Sequence, residues 1–166
     1  MCGQGKKGEM IITGLISSMG QLDRSLVDFE RYSTTNTADN GIDLCVHHTE
    51  GNFKEMIEIS EGDRSKFSNP LEDASQKILT RIDVKTHSGK ITSPVMRKFV
   101  SDIPKSPKIK GHLLMGGQGL TRGAEKLLQD AKERYSNNMV AYISESGIEN
   151  LLEATKLQLE DENNKE

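Results

Sequence analysis

The stretch Ile78–Thr86, ILTRIDVKT, alternates apolar and polar side chains and therefore predicts a half-buried β-strand. Asp83 and Lys85 lie two residues apart within it, and on a strand this spacing places them on one face. An earlier segment, Gly41–His48 (GIDLCVHH), also predicts a strand and carries Asp43 near its start. Acidic residues therefore lie on two predicted strands of what we expect to be one sheet.

The sequence around these strands predicts a mixed sheet with helices on its faces, which is an α/β fold. Glu50–Asn52 has the composition of a turn, and Phe53–Ser60 (FKEMIEIS) predicts the returning strand of a hairpin. Two further strands are predicted at His112–Met115 and Met139–Ile143, which gives a sheet of about five strands. Helices are predicted over 9–20, from about 22 to 32, from Ser93 to Ile103, from Thr121 to about Tyr135, and from Ser146 to about Leu159.

The length of 166 residues predicts one domain. Residues 1–8 are rich in Gly and Lys and are expected to form a flexible N-terminus. The domain is expected to span 9–159, with the polar segment 61–76 as a loop insertion and 160–166 as an acidic tail.

Several protein classes are excluded by composition. No apolar run is long enough for a membrane-spanning helix, and the first residues contain no apolar core of a secretory signal. Two cysteines are too few for a disulfide framework and favour a reduced, cytoplasmic location. Cys45, His47 and His48 lie close together, but no second pair has the spacing of a zinc site.

The formal charge of −3 conceals an uneven distribution. Residues 81–135 contain 12 basic and 5 acidic side chains, net +7, whereas 1–80 and 136–166 are each net −5. A basic region can bind phosphate whatever the total charge, because screening limits each charge to a range of about 8–10 Å. Solvated helix faces explain the same pattern.

Asp43, Asp83 and Lys85 suggest a specific chemistry. Two carboxylates on neighbouring strands can hold a hard divalent cation such as Mg²⁺, which prefers oxygen ligands. An ammonium group two residues along can orient a water molecule, and a metal with a positioned water is a common means of cutting a phosphodiester. Taken alone, such a triplet is also typical of an exposed strand face.

The order of elements and this triplet together resemble the PD-(D/E)XK nuclease superfamily, and within it the Mrr-like restriction endonuclease branch. The matching segments cover roughly residues 40–155: Asn40–Leu44, Ile82–Lys85, Ser93–Phe99, Lys110–Met115, Gly119–Thr121 with Ala124, and Met139–Ile143. The resemblance implies a restriction-endonuclease-like core and a metal-dependent endodeoxyribonuclease that acts in restriction, phage defence or DNA repair.

The resemblance also implies roles for individual residues. Asp43 and Asp83 would be metal ligands, with the Val84 carbonyl as a further ligand, and Lys85 would position or activate the water. The metal would be Mg²⁺, for which Mn²⁺ can substitute. The superfamily often adds an acidic residue from its first helix, for which Glu9 and Glu30 are candidates.

This sequence departs from the family in two respects. Asp43 and Asp83 are farther apart than is usual, which is why 61–76 is expected to be an insertion. Asp83 also stands where Glu or Gln is common. Duplex DNA is the expected partner, and a homodimer is expected because cutting two strands usually takes two sites. Candidate DNA contacts are His87, Lys90, Arg97, Lys98, Lys105, Lys108, Lys110, Gln118, Thr121 and Arg122.

Two other functions are compatible with the sequence. One is a non-catalytic DNA-binding or regulatory protein that retains the nuclease fold. The other is a small nucleotide-binding α/β protein, because Gly116–Gly119 (GGQG) follows a strand and precedes a helix that contains Gly123. A tight turn explains these glycines equally well.

Overall fold

A single mixed β-sheet organises the chain in a computed structural model, which describes residues 14, 28–30, 42–66, 77–85 and 89–164. Its strands lie in chain order, with the first two pairs antiparallel and the last two parallel. They are β1 (Asp28–Glu30), β2 (Ile42–Thr49), β3 (Lys77–Lys85), β4 (Gly111–Gly116) and β5 (Met139–Ile143). The predicted α/β class with a mixed sheet is confirmed.

Helices cover both faces of this sheet. They are α1 (Glu50–Ser60), α2 (Ser93–Ser101), α3 (Arg122–Arg134) and α4 (Glu145–Asn163), and a short 3-10 turn follows α2 at Ile103–Lys105. Helices α1 and α4 pack together on one face, and α2 packs with α3 on the other. The central strands are therefore covered from both sides.

The two faces of β3 differ in chemistry. Ile82 and Val84 belong to the apolar core beneath α1 and α4. Arg81, Asp83 and Lys85 alternate with them and point to the side of α2 and α3. A second apolar core lies between the sheet and the helices α2 and α3. On β3, the face toward this core carries three charged residues instead of apolar ones.

The predicted strand at Phe53–Ser60 is wrong, because this segment belongs to α1. The Thr49 hydroxyl accepts a hydrogen bond from the Asn52 N–H at 3.1 Å, which starts a helix at Glu50. The residues that suggested a turn therefore form the first turn of this helix. Its buried apolar side chains, Phe53, Met56 and Ile59, recur every three residues, as on one face of a helix.

Other boundaries also differ from the predictions. The helical segment predicted over 22–32 contains β1 at its described positions 28–30. Gly14 is helical, and the remainder of the predicted helix 9–20, like the tail 1–8, lies outside the described residues. Of the predicted insertion 61–76, residues 61–66 follow α1 and 67–76 are outside the description. Helix α4 continues to Asn163, because no Gly or Pro ends it at Leu159.

The first turn of helix α3 is capped by a side-chain hydrogen bond, and the first turn of α2 is not. The Thr121 hydroxyl accepts a hydrogen bond from the Ala124 N–H at 3.2 Å. Thr92 holds the equivalent position before α2, but its side chain makes no capping bond. The two threonines form a natural pair for comparison.

Thr121→Ala is expected to lower the free energy of unfolding by about 1 kcal/mol, because the first turn of α3 loses the partner of its Ala124 N–H. Thr92→Ala removes no such bond and is expected to change stability by less than about 0.5 kcal/mol. Urea denaturation of both variants measures the difference. Equal losses from the two substitutions would contradict this account.

Candidate functional site

The candidate site is built on the charged face of β3. Arg81 and Asp83 are each 7% exposed and Lys85 is 5% exposed. Burying a charge is costly unless it is paired. The Lys85 ammonium lies 3.4 Å from Asp83 Oδ1, and Arg81 Nη1 lies 3.9 Å from Asp83 Oδ2. The Asp83 carboxylate is therefore flanked by a cation at each oxygen.

The antiparallel pairing of β2 and β3 brings the two predicted carboxylate positions together. Asp43 lies directly opposite Asp83 in the register. Directly opposite residues of an antiparallel pair share one face, with Cα atoms about 4.5–5.5 Å apart. For Asp43 the structure describes the backbone and not the side chain. Val84, whose carbonyl was a predicted ligand, has its side chain in the core on the opposite face.

Lys85 is the last residue of β3 and lies next to Gly116, the last residue of the parallel strand β4. The ammonium group therefore belongs to the sheet edge formed by the carboxyl ends of β3 and β4. Loop residues 89–92 and the turn 117–121 meet at this edge, where Ile91 and Leu120 form an isolated bridge. In sheets with parallel strands, this is the edge at which ligands usually bind.

Arg81 was not predicted as a site residue, although R-x-D-x-K spacing places it on the face of Asp83 and Lys85. Its Nη2 donates to the Phe99 carbonyl at 3.1 Å, and its guanidinium carbon lies 4.9 Å from the centre of the Phe99 ring. Its Nη1 also lies 3.7 Å from Asp102 Oδ2. Arg81 thus joins the candidate site to the end of α2.

His112 is fully buried beside Arg81. Arg81 Nε donates to His112 Nδ1 at 3.4 Å, which requires an unprotonated Nδ1. Burial, followed by the charge of Arg81, lowers the pKa of His112 from 6.5 to about 4. The imidazole is therefore neutral at physiological pH and can accept this bond.

The glycine turn after β4 is held by the rest of the fold. Gln118 N–H donates to the Gly89 carbonyl at 2.9 Å, and Thr121 N–H donates to the Ile91 carbonyl at 3.0 Å. Gly119 N–H donates to the hydroxyl of Tyr142, which itself donates to the Gly116 carbonyl at 2.6 Å. These N–H groups already have partners, so they do not form the open cradle that a bound phosphate needs.

Most of the predicted DNA contacts lie at one of two edges of the sheet, which are formed by the carboxyl ends and by the amino ends of β3 and β4. Lys90, Gln118 and Arg122 are exposed at the edge of Lys85, where Thr121 is half-buried. Lys105, Lys108 and Lys110 precede β4 and lie at its other end, about 16 Å away at 3.3 Å per residue. Arg97 and Lys98 are exposed on α2. Among the described residues, the first group therefore shares the edge of Lys85, whereas Lys105, Lys108 and Lys110 do not.

Glu30 and His47 also lie in the described part of the chain, at different distances from Asp43. Glu30, on β1, lies opposite Cys45, two residues along β2 from Asp43. Glu9 and His87 lie outside the described residues. His47 is four residues from Asp43 on the same strand, which corresponds to about 13 Å. Glu30 is therefore a diagonal neighbour of Asp43 on the same face of the sheet, with Cα atoms about 7–8 Å apart, whereas His47 does not neighbour the Asp43–Asp83 pair.

No family model, no curated protein and no solved structure matches the chain. Among the described residues, no three His, Cys, Asp or Glu side chains gather as a metal site. The described helices include none with the length and apolar character needed to cross a bilayer.

Proposed function

We propose that the protein is a metal-dependent endodeoxyribonuclease with a restriction-endonuclease-like core of the Mrr-like kind. The observation that carries the proposal is the register of β2 and β3, which sets Asp43 opposite Asp83 with the Lys85 ammonium 3.4 Å from Asp83. Burying charges on a strand face where an apolar core is expected lowers the stability of the fold. A functional role for these residues would explain why they are buried there.

The donor set fits a hard divalent cation. Carboxylate oxygens from two neighbouring strands are the ligands that Mg²⁺ prefers, and Mn²⁺ accepts them too. Asp43 and Asp83 would hold the ion, with the Val84 carbonyl as a further ligand. The ion would polarise the phosphate and lower the pKa of a bound water.

Lys85 would act beside the metal ligands. Its ammonium group is nearly inaccessible to solvent and is restrained by Asp83, so it can donate a hydrogen bond in a fixed direction. A positive charge at this place would hold the attacking water or stabilise the charge that develops on the phosphate.

The edge that contains Lys85 is the proposed DNA-binding surface. Lys90, Arg122, Gln118 and Thr121 border it, and phosphate contacts from such side chains fix the register of a duplex without reading its sequence. Lys105, Lys108 and Lys110 lie at the opposite edge and are not part of this proposed surface. A homodimer would supply the second site for the second strand.

An assay on supercoiled plasmid tests the proposal. With Mg²⁺ or Mn²⁺ the protein is expected to nick and linearise the plasmid, and a chelator is expected to stop it. Asp83→Asn and Asp43→Asn are each expected to abolish cleavage, because an amide is a weaker metal ligand than a carboxylate. Absence of cleavage by the unmodified protein, or full cleavage by both variants, would refute the catalytic function.

The Asp83 environment also supports a second candidate, a non-catalytic DNA-binding or regulatory protein. Arg81 and Lys85 both form ion pairs with this carboxylate, so its charge is balanced within the protein itself. DNA retention that does not depend on divalent cations, without cleavage, would favour this function. The third possibility, nucleotide binding at the glycine turn, is less favoured, because the Gln118, Gly119 and Thr121 N–H groups of the turn are already bonded within the protein.

A further inference from the structure

A chain of five charges with alternating sign runs from the loop between α2 and β4, which contains Lys105, Lys108 and Lys110, to the candidate site. From the exposed end, Lys105 Nζ lies 2.9 Å from Asp102 Oδ1, and Asp102 Oδ2 lies 3.7 Å from Arg81 Nη1. Arg81 Nη1 then lies 3.9 Å from Asp83 Oδ2, and Asp83 Oδ1 lies 3.4 Å from Lys85 Nζ. The Lys105 side chain is 68% exposed, whereas that of Lys85 is 5% exposed.

Arg81 is the shared member of this chain. The Phe99 carbonyl, the Phe99 ring and His112 hold its guanidinium from one side. On the other side, Nη1 faces both Asp83 and Asp102 and lies beyond hydrogen-bond distance of each. Neither carboxylate therefore holds this nitrogen exclusively, and a change at one of them alters the attraction to the other.

We propose that Arg81 is a positioning residue for Asp83 and that Asp102 sets how strongly Arg81 holds the Asp83 carboxylate. The inference rests on the proposed function, in which Asp83 is a metal ligand. Without the charge of Asp102, Nη1 is drawn toward Asp83 and competes with a cation for its oxygen. Without Lys105, which also binds Asp102, Nη1 is drawn away and the oxygen becomes more available.

The test is calorimetric titration of the full chain with Mn²⁺ in the absence of DNA. Asp102→Asn is expected to weaken Mn²⁺ binding by about 3- to 10-fold, a range typical of coupled charged neighbours. Lys105→Ala is expected to strengthen binding by a smaller factor. Lys108→Ala removes an exposed charge from the same loop and serves as the matched control, with no expected change.

The same substitution is also made in a background variant that already lacks Arg81. This comparison distinguishes coupling through Arg81 from direct attraction between Asp102 and the ion. In Arg81→Gln, the further change Asp102→Asn is expected to alter Mn²⁺ binding by less than about 2-fold. Arg81→Lys keeps the buried charge and replaces this background if the glutamine variant does not fold. An ammonium has a single nitrogen, whereas Arg81 uses Nη2 for the Phe99 carbonyl and Nη1 for the two carboxylates, so the effect of Asp102→Asn should shrink there too.

The outcomes distinguish this inference from the proposed function. Unchanged Mn²⁺ binding in Asp102→Asn, or an equal loss of Mn²⁺ affinity with and without Arg81, would overturn only the role of Arg81 and would leave the proposed function standing. No Mn²⁺ binding by the unmodified protein, or unimpaired binding by Asp83→Asn, would overturn both the proposed metal site and this inference. A weakening by Asp102→Asn that disappears without Arg81 supports it.

Discussion

Lys85→Met is expected to lower the rate of DNA cleavage by about 10²- to 10⁴-fold, the range typical of a lost proton-transfer or water-positioning group. Methionine keeps the length and apolar stem of the side chain, and only the ammonium group beside Asp83 is removed. Mn²⁺ binding is expected to be unchanged or tighter, because a positive charge near the metal ligand disappears. Single-turnover cleavage and Mn²⁺ titration measure the two effects separately.

Lys77→Met is the matched control for this prediction. Lys77 is the first residue of β3 and Lys85 the last, so the same chemical change is made on one strand at opposite ends. The Lys77 variant is expected to cleave DNA as the unmodified protein does. A Lys85→Met protein that melts normally and cleaves at the original rate would show that this ammonium takes no part in the reaction.

The part of the site that was predictable from the sequence follows from a local rule. Residues two apart on a strand share a face, and this rule alone places Asp83 with Lys85. The same rule could have found Arg81, because R-x-D-x-K continues the spacing. Its partners Asp102 and His112 come from distant positions in the chain, and no local pattern indicates that they converge on it.

The pairing of Asp43 with Asp83 could not be derived from local pattern. It depends on how β2 and β3 align, and a shift of one residue would move Asp43 to the other face. The predicted strand at Phe53–Ser60 lies between these two strands in the chain and, as the hairpin partner of β2, would have competed with β3 for pairing. Instead this segment folds as α1 and leaves the sheet, which allows β2 and β3 to become direct neighbours.

The error at α1 has a physical explanation. The residues Met56-Ile57-Glu58-Ile59 suit a strand through the alternation of Ile57 and Ile59 and suit a helix through the spacing of Met56 and Ile59. A short apolar segment does not distinguish the two periods. The side-chain cap of Thr49 and the packing of α1 on α4 favour the helix, and the second of these is a tertiary contact.

Gly116 joins the stability of the sheet to the geometry of the site, and its replacement is expected to be the most destabilising change considered. Gly116 has a φ of +114°, and a Cβ added there would lie 1.8 Å from the Lys85 carbonyl oxygen. That oxygen belongs to the backbone of the adjacent strand, so it cannot move away without disturbing the pairing of β3 with β4.

Gly119 offers a control with the same φ angle and no obstruction. Its φ is also +114°, but an added Cβ would meet no atom within 4 Å. Gly119→Ala is therefore expected to cost only backbone strain, about 1–3 kcal/mol. Gly116→Ala adds the steric conflict and is expected to lower the free energy of unfolding by about 4 kcal/mol or more. Urea denaturation of the two variants isolates the contribution of the contact.

The Gly116 substitution should also affect cleavage under conditions in which the variant remains folded. The Tyr142 hydroxyl holds the Gly116 carbonyl at 2.6 Å, so the strain cannot be relieved on that side without breaking this bond. It falls instead on the last residue of β3, which is Lys85. Cleavage by folded Gly116→Ala protein is therefore expected to decrease, whereas folded Gly119→Ala protein should retain it. Equal stability losses and equal cleavage rates in the two variants would show that the close approach of Gly116 to Lys85 does not position the site.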